Sequence, residues 1–313
     1  MSINVGVSAC VMGEKVRFDG GHKMNRFVVD ELTKHFTFRP VCPENAIGMG
    51  TPRPTIRLID RENGIRLVSN KDRSVDFTDD MLGYTEKVLP SMSDLCGFIV
   101  CAKSPTCGME RVKLYIENGN TVPGGTSGLF TRELMKRYPW LPVEEDGRLC
   151  DEYLRENFVF RVFALKDLYD STKELTAGAI VKFHSRYKLV LMAHNQKAYR
   201  DLGRLVADIA NHDIQSFFER YRNEFMAAIT DRANRKNNTC TLQHIQGYFK
   251  KYLTKEQKAE LAGVIMDYRH GALPILAVIT LINHYLQSYP DDYLASQVYL
   301  NPYPKELRLR YGL

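Results

Sequence analysis

The stretch INVGVSA at residues 3–9 has the pattern of a short buried strand, and a cysteine follows it directly. Two similar runs occur later, FTFRPV at residues 36–41 and GFIVCA at residues 97–102. Apolar residues with helical spacing lie between them, at residues 24–35 and 79–89. Strands that alternate with helices indicate a parallel sheet covered on both faces. The N-terminal half is therefore predicted to be a three-layer α/β domain.

The strand pattern ends near residue 150, and long amphipathic helical patterns replace it. They lie at residues 151–168, 176–211, 214–234, 242–253 and 255–270. Thr254 and Gln257 form a capping box at the start of the last of these helices. Pro274 opens a further apolar helix. The C-terminal half is therefore predicted to be an all-α domain.

Composition indicates where the boundary between the two domains lies and which class of protein the chain belongs to. The stretch 139–147, rich in proline and acidic residues, is the predicted junction between an α/β domain at residues 1–147 and a helical domain at 148–313. The 313 residues are 44% hydrophobic and 26% charged, which is typical of globular proteins. The longest apolar run is shorter than the roughly 20 residues of a membrane span, and the N-terminus lacks a signal-peptide pattern. A cytoplasmic protein without a membrane anchor is expected.

Positive charge is concentrated in the second half. Residues 1–150 contain 20 Lys and Arg against 19 Asp and Glu, which leaves 43 − 20 = 23 against 37 − 19 = 18 for residues 151–313. The excess of +5 favours a surface that binds a polyanion, although a solvated helix face would give the same count. Four basic residues, together with nearby tyrosines, lie close to one stripe of the helix predicted at 176–211. These candidate RNA-binding residues are Arg186, Lys197, Arg200 and Arg204.

Three of the seven cysteines follow predicted strands. Cys10 follows the first strand, Cys42 the second, and Cys107 lies in the loop after the third. Ligands of an open parallel sheet bind beyond the carboxyl ends of its strands. Thiolates select zinc, copper(I) or an iron-sulfur cluster, and three thiolates without a fourth leave a coordination position open, as in catalytic metal centres. Ordinary buried cysteines are the alternative interpretation.

Two polar residues stand next to these cysteines. Glu44 is two residues after Cys42 in CPE, and Ser104 is three residues before Cys107 in KSPTCG. A carboxylate and a hydroxyl beside an open metal position are suited to proton transfer. A turn carboxylate and a helix-capping serine are the alternatives.

Three charged residues are candidates for binding a substrate. Arg17 and Asp19 lie in VRFDGG, and Lys103 precedes Ser104. The first two would line a pocket and hydrogen-bond its ligand, and the third would neutralise an anion. A surface ion pair in a glycine turn and a solvated lysine are the alternatives.

Several of these stretches resemble a known family. VSACVMGEKVRFDGG at residues 7–21, PVCPE at 40–44 and CAKSPTCGMERVKLY at 101–115 resemble the signature segments of the thiouracil desulfidase family. FHSRYKLVLMAHNQKAYRDLGRLVA at 183–207 resembles the helical domain that accompanies this family in longer members. Such fused proteins are associated with removing sulfur from 4-thiouridine in transfer RNA.

The resemblance implies a cofactor and roles for individual residues. Cys10, Cys42 and Cys107 would hold a 4Fe-4S cluster and leave one iron open for substrate sulfur, with Glu44 and Ser104 as acid/base residues. Cys101 lies in an apolar strand and is expected in the core. The expected reaction is a hydrolytic, non-redox desulfidase reaction that yields uracil and sulfide. Two alternatives stay open, a desulfidase for free 2-thiouracil and a non-catalytic RNA-binding or adaptor protein with a structural metal.

Overall fold

The computed structural model describes residues 2–310. The chain divides into two compact units, Met1–Leu154 and Arg155–Leu313. The first contains the sheets and the second is helical, which confirms the predicted fold class.

A parallel sheet forms the centre of the first unit. The strands of this unit are β1 (Ile3–Ser8), β2 (Phe36–Val41), β3 (Ile56–Arg61), β4 (Gly64–Ser69), β5 (Gly97–Val100), β6 (Leu114–Tyr115) and β7 (Val143–Glu145). Four of them form a wholly parallel sheet in the order β2-β1-β5-β7. The central strands β1 and β5 are almost completely buried, as expected for a parallel sheet covered on both faces. Pro40 is tolerated in β2 because β2 is an edge strand.

A second, smaller sheet was not predicted. In it, β3 and β4 form an antiparallel hairpin and β6 runs parallel to β3. The hairpin carries charged side chains among its apolar ones, so its sequence pattern is weaker than that of β1 or β5.

The helices of the first unit are α1 (Pro43–Ala46), α2 (Thr78–Val88) and α3 (Leu129–Arg137). The α-helix predicted at 24–35 is absent from this segment. The chain there forms a π-helical turn at Phe27–Glu31 and a 3-10 turn at Leu32–Lys34. β-Branched residues disfavour a regular helix here, and the Thr33 hydroxyl donates a hydrogen bond of 2.6 Å to the Val29 carbonyl.

The stretch predicted as the junction, residues 139–147, contains β7, and the division into units falls slightly later, after Leu154. Val143, Glu144 and Glu145 are buried and pair with Phe98, Ile99 and Val100 of β5. The two acidic side chains are compatible with a buried strand because they are bonded. Glu145 accepts the backbone N–H of Met109, and Glu144 pairs with Arg148.

The helices that follow belong mainly to the second unit. They are α4 (Glu152–Ser171), α5 (Ala177–His194), α6 (Gln196–Ala207), α7 (Ile214–Ala228), α8 (Arg235–Tyr248), α9 (Lys255–His270), α10 (Ile275–Ser288) and α11 (Asp292–Ser296). The predicted capping box of Thr254 and Gln257 is present at the start of α9, and Pro274 precedes α10 as predicted. No helix within residues 2–310 is both long enough and apolar enough to cross a membrane.

The single helix predicted at 176–211 is two helices. Asn195 has φ −148° and ψ 100°, so its backbone is extended and α5 ends before it. The Asn195 side chain accepts the N–H groups of Lys197 and Ala198 and thereby caps α6. Arg186 is therefore on a different helix from the other three candidate RNA-binding residues, and the prediction of one continuous stripe is wrong.

Candidate active site

All four strands of the parallel sheet deliver a polar residue to the same edge. Cys10 follows β1, Cys42 follows β2, Cys101 follows β5, and Asp146 follows β7. Because the strands are parallel, their carboxyl ends lie together, which is the place where such sheets bind ligands.

A cavity of about 390 Å³ opens at this edge. Six of its lining residues carry reactive side chains: Cys10, Cys42, Cys101, Cys107, Glu44 and Ser104. The structure thus brings together the three predicted cysteine ligands and both predicted acid/base residues. A volume of this size is typical of small-molecule pockets.

Cys101 is not the core residue that its sequence predicted. β5 ends at Val100, and Cys101 is half buried on the cavity wall. Its thiol accepts a hydrogen bond from Cys10, which lowers the pKa of Cys101, and the nearby charges of Lys23 and Arg17 act in the same direction. The cavity therefore holds four thiols instead of three.

The pKa values of the other three thiols are raised above the ordinary value of a cysteine. The hydrogen bond to Cys101 and burial together raise the pKa of Cys10. Burial, helped by the charge of Glu44, raises the pKa of Cys42 to about 11. Complete burial raises the pKa of Cys107 well above its ordinary value. A bound cation would reverse these effects, since it stabilises thiolates directly.

Glu44 is the centre of a short hydrogen-bond network. Its Oε1 accepts hydrogen bonds from the hydroxyl of Thr106 and, at 3.4 Å, from that of Ser104. The two hydroxyls are 2.9 Å apart. The Oε2 atom of Glu44 lies 3.4 Å from Cys42 Sγ. A carboxylate connected to two hydroxyls beside thiols is a suitable arrangement for moving a proton.

Arg53 is the counter-ion of Glu44. Its Nη2 lies 3.7 Å from Oε2 of Glu44, and the two side chains are 5% and 11% exposed. The other end of the guanidinium is fixed by hydrogen bonds to the carbonyls of Val16 and Gly50 and to the Asn45 side chain. The charge of the buried carboxylate is therefore balanced by the protein itself.

Close backbone packing shapes the loop that carries Ser104 and Cys107. The Ser104 hydroxyl accepts the N–H of Cys107 at 3.1 Å, and the Gly108 N–H bonds to the Ser104 carbonyl at 2.9 Å. A side chain at Gly128 would meet the backbone of Thr106 at 2.5 Å. Glycine is required at that position because α3 begins directly against this loop.

Lys23 and Asp146 form a second charged pair at the cavity. Lys23 Nζ lies 3.0 Å from the Asp146 carboxylate, which is nearly fully buried and also accepts the N–H of Ala102 at 2.8 Å. Lys23 itself lines the cavity. Lys23 therefore places a positive charge near the Cys10 and Cys101 thiols.

Two of the three predicted substrate-binding residues lie at the cavity, and one does not. Arg17 and Lys103 line the cavity. Asp19 lies in the glycine turn outside the cavity wall, where it accepts the N–H of Gly21 at 3.0 Å and is half exposed. Its distance of 3.9 Å from Arg17 is that of a weak surface ion pair.

The candidate RNA-binding residues lie in the second unit. Lys197 and Arg204 of α6 have side chains that are 87% and 80% exposed, and both are paired with Asp201. Arg200, on the same helix, is also exposed. Arg186 of α5 is different, because it bonds to Asp167 and Ser171. Of the four candidates, the three on α6 therefore have exposed side chains, whereas Arg186 is bound within the helical unit.

Comparison with known proteins finds a family match in each half of the chain. A model of the family described as 2-thiouracil desulfurase matches residues 5–146, and a model of a family of unknown function, DUF1722, matches residues 188–304. The uncharacterized protein YbgA of Escherichia coli K12 is 37% identical over 159 residues, which are 50% of this chain and 94% of YbgA. The solved structure of the 4Fe-4S-dependent thiouracil desulfidase TudS is similar with a TM-score of 0.37 and 23% identity, over 48% of this chain and 94% of TudS. The chain belongs to the thiouracil desulfidase family, with a fused C-terminal domain.

The donor set of this thiouracil desulfidase family member fits a cluster better than a single ion. Within residues 2–310, no three His, Cys, Asp or Glu side chains form a group that could hold one metal ion. The thiols of Cys10, Cys42 and Cys107 nevertheless face the same cavity. A polynuclear cluster takes one thiolate on each iron, so it suits ligands that are spread around a pocket.

Four residues at the site of this desulfidase family member were not predicted from sequence. Thr106 and Arg53 hold Glu44, Cys101 adds a fourth thiol to the cavity wall, and Lys23 places a positive charge in the cavity. Thr106 could have been found, since it stands between Ser104 and Cys107. Arg53 and Lys23 reach the cavity only through the folding of distant loops.

Proposed function

We propose that the chain is an iron-sulfur-dependent, non-redox desulfidase that hydrolyses thiolated uracil to uracil and sulfide. One observation carries this proposal. The thiols of Cys10, Cys42 and Cys107 face the same cavity as Glu44 and Ser104. In a member of the thiouracil desulfidase family, this arrangement supports cluster ligation by the three thiols and proton transfer by Glu44 and Ser104.

Cys10, Cys42 and Cys107 would hold a 4Fe-4S cluster through three of its irons. Such a cluster would supply Lewis-acid chemistry, which suits a soft thiocarbonyl sulfur and would make the ring carbon more electrophilic. The protein contributes the negative thiolates, the shape of the cavity and the groups that handle protons.

Glu44 would act as the base that takes a proton from the attacking water. Its position is fixed by Thr106 on one oxygen and by Arg53 on the other. Ser104, 3.4 Å from Glu44, would relay that proton or orient the ring. Water adds its oxygen to the ring carbon, the carbon–sulfur bond breaks and sulfide leaves. The balance of thiocarbonyl plus water to carbonyl plus hydrogen sulfide needs no electrons.

Arg17 and Lys103, which line the cavity, would bind the substrate around its ring. Lys23 would stabilise negative charge on the departing sulfur, since its ammonium is held at the cavity wall by Asp146. The cavity of about 390 Å³ is within the size range of small-molecule pockets, which supports a base or nucleoside as the bound group.

We further propose 4-thiouridine in transfer RNA as the substrate. The support is the +5 charge excess of residues 151–313 and the exposed basic residues of α6. Transfer RNA is recognised through its shape and its phosphates, which Lys and Arg contact. A free base would need only the first unit. A cytoplasmic location, where transfer RNA is found, stays a prediction.

Anaerobic purification tests the proposal. Roughly four irons per chain and a brown absorbance are expected, with release of sulfide from thiolated transfer RNA. Cys42→Ala and Cys107→Ala should each lose the iron. Cys96→Ala, which removes a buried thiol of the same unit outside the cavity, should keep it. A colourless protein with one zinc per chain would favour the adaptor alternative.

A further inference from the structure

Phe18 combines two properties that no other residue within 2–310 shares. It is the only aromatic residue among those that line the cavity. It is also one of six large hydrophobic residues in this range that are exposed, in its case to 41%. The other five lie outside the cavity wall: Met24, Val75, Val181, Tyr252 and Met266. An exposed aromatic residue on the lining of an open cavity lies at its mouth, where a ligand enters.

The backbone that carries Phe18 is fixed, although its side chain is exposed. Phe18 lies in a tight turn in which the N–H of Gly20 donates a 2.9 Å hydrogen bond to the Arg17 carbonyl. Gly20 ends this turn with φ 77°, a conformation that favours glycine. The Phe18 carbonyl accepts the N–H of Arg53 at 2.9 Å, and Arg53 is the counter-ion of Glu44. The position of Phe18 is therefore set relative to the wall that carries the proposed base.

A planar base is the kind of ligand that an exposed aromatic ring binds. Thiolated uracil carries its polar groups on the edge of the ring, and both of its faces are free to stack. The guanidinium of Arg17 lies 5.6 Å from the centroid of the Phe18 ring, so a planar cation accompanies this ring. No other lining residue offers an aromatic face.

We propose that Phe18 is a specificity-determining residue that stacks on the pyrimidine ring of the substrate at the mouth of the cavity. The inference rests on the proposed function and names the part of the substrate that the protein recognises. Hydrogen-bonding groups of the cavity bind the edge of the ring, and Phe18 binds its face. The site therefore selects planar aromatic thiocarbonyl compounds over saturated compounds with the same edge.

Sulfide release from free 4-thiouridine tests this contact, because a free nucleoside has no neighbouring base that could stack on Phe18 instead. Phe18→Ala should raise KM about tenfold or more and change kcat much less. Phe18→Tyr should restore the wild-type KM, whereas Phe18→Leu, which lacks a ring, should not. Val75→Ala, at an equally exposed position outside the cavity, is the control. A wild-type KM for Phe18→Ala would overturn the inference.

Equilibrium dialysis with the full-length protein tests the same contact without turnover. The two ligands are uridine and dihydrouridine, which share their edge groups, but the saturated ring of dihydrouridine has no aromatic face. The wild type should bind uridine at least about fivefold more tightly, and Phe18→Ala should bind the two ligands alike. Equal affinities in the wild type would contradict the role of Phe18. If the wild type discriminates between them but releases no sulfide from thiolated pyrimidines, the proposed function fails and the binding role of Phe18 stands.

Discussion

Arg53 lies 3.7 Å from the carboxylate of Glu44, and both side chains are almost completely removed from solvent. The pair connects the loop between α1 and β3 with the short helix α1 itself, which begins directly after Cys42. Its guanidinium also satisfies three groups of the surrounding loops. Arg53 is therefore both the counter-ion of the proposed base and a structural link between the segments that form one wall of the cavity.

Removing Arg53 should destabilise the protein strongly. Arg53→Met keeps much of the side-chain volume but leaves Glu44 as an uncompensated buried charge, a change that typically costs about 3–5 kcal/mol. Urea unfolding measures the loss. Arg39→Met is the matched control, because Arg39 pairs with Asp94 at 2.9 Å on the exposed surface and should cost only about 1 kcal/mol or less. Equal losses in the two variants would contradict the role of the buried pair.

Glu44 and Ser104 should affect turnover more than cofactor content. Glu44→Gln and Ser104→Ala preserve much of the side-chain shape but remove a proton acceptor or a hydroxyl. Loss of a general acid or base typically lowers the rate about 10²- to 10⁴-fold. Absorbance and iron content report on the site, and sulfide release reports on catalysis. Wild-type turnover in both variants would show that neither residue transfers a proton.

Thr106 should act as a positioning residue. Its hydroxyl bonds to Glu44 and lies 2.9 Å from the Ser104 hydroxyl and 3.5 Å from Cys107 Sγ. Thr106→Val keeps the shape and removes the hydroxyl, so kcat should fall about tenfold or more, in proportion to the lost orientation, with little change in KM. Thr106→Ser should restore kcat. A Thr106→Ser variant as slow as Thr106→Val would show that packing of the methyl group matters instead.

The parallel sheet and the positions of the cysteines could be predicted because short local sequence patterns indicate them. β1, β2 and β5 are short apolar runs, and the cysteines that follow them meet wherever parallel strands end together. The same reasoning failed for β7, whose two glutamates gave it the composition of a linker. Those carboxylates are acceptable in a buried strand because both are bonded, Glu145 to the N–H of the distant Met109 and Glu144 to the nearby Arg148.

Residues that are distant in sequence from the cysteines could not be assigned to the cavity from the sequence alone. Arg53 is eleven positions after Cys42, in a proline-rich loop that carries no helix or strand pattern. Cys101 was misplaced for a different reason, because an apolar run does not show where a strand ends. One residue more or less decides whether a side chain points into the core or into the cavity.

His184 should make the helical unit less stable in acid. It is 3% exposed, its Nδ1 lies 3.1 Å from the Tyr221 hydroxyl, and its Nε2 has no hydrogen-bond partner among residues 2–310. Burial, with a smaller contribution from Lys188, lowers the pKa of His184 to about 4. Between pH 6.5 and 4 the unfolded chain binds a proton that the folded chain does not. The free energy of unfolding should therefore fall as pH falls, by up to about 1.4 kcal/mol per pH unit.

A variant isolates this contribution. His184→Gln keeps a polar partner for Tyr221 and removes the titration, so its unfolding free energy should depend less on pH between 6.5 and 4. Urea unfolding followed by far-ultraviolet circular dichroism reports on the helices. His244→Gln, at an exposed position of α8, should leave the wild-type slope unchanged. Identical slopes for wild type and His184→Gln would mean that His184 is protonated in the folded protein.

The exposed basic face of α6 should determine binding of transfer RNA. A triple variant in which Gln replaces Lys197, Arg200 and Arg204 loses three positive charges. None of these side chains lies in the cavity or the core. Each lost phosphate contact reduces the slope of log affinity against log salt by about 0.7 to 0.9, so the slope should fall by about 2 to 3 if all three make contact. Filter binding of thiolated transfer RNA at several salt concentrations measures the slope, and iron content should stay constant.

The control is a second triple variant, in which Gln replaces Lys250, Lys251 and Lys255. These side chains are also exposed, so the variant loses the same number of positive charges. If both triple variants weaken binding equally, net charge and not α6 attracts the RNA. If neither does, α6 is not the RNA-binding surface, and free thiouracil becomes the better candidate substrate.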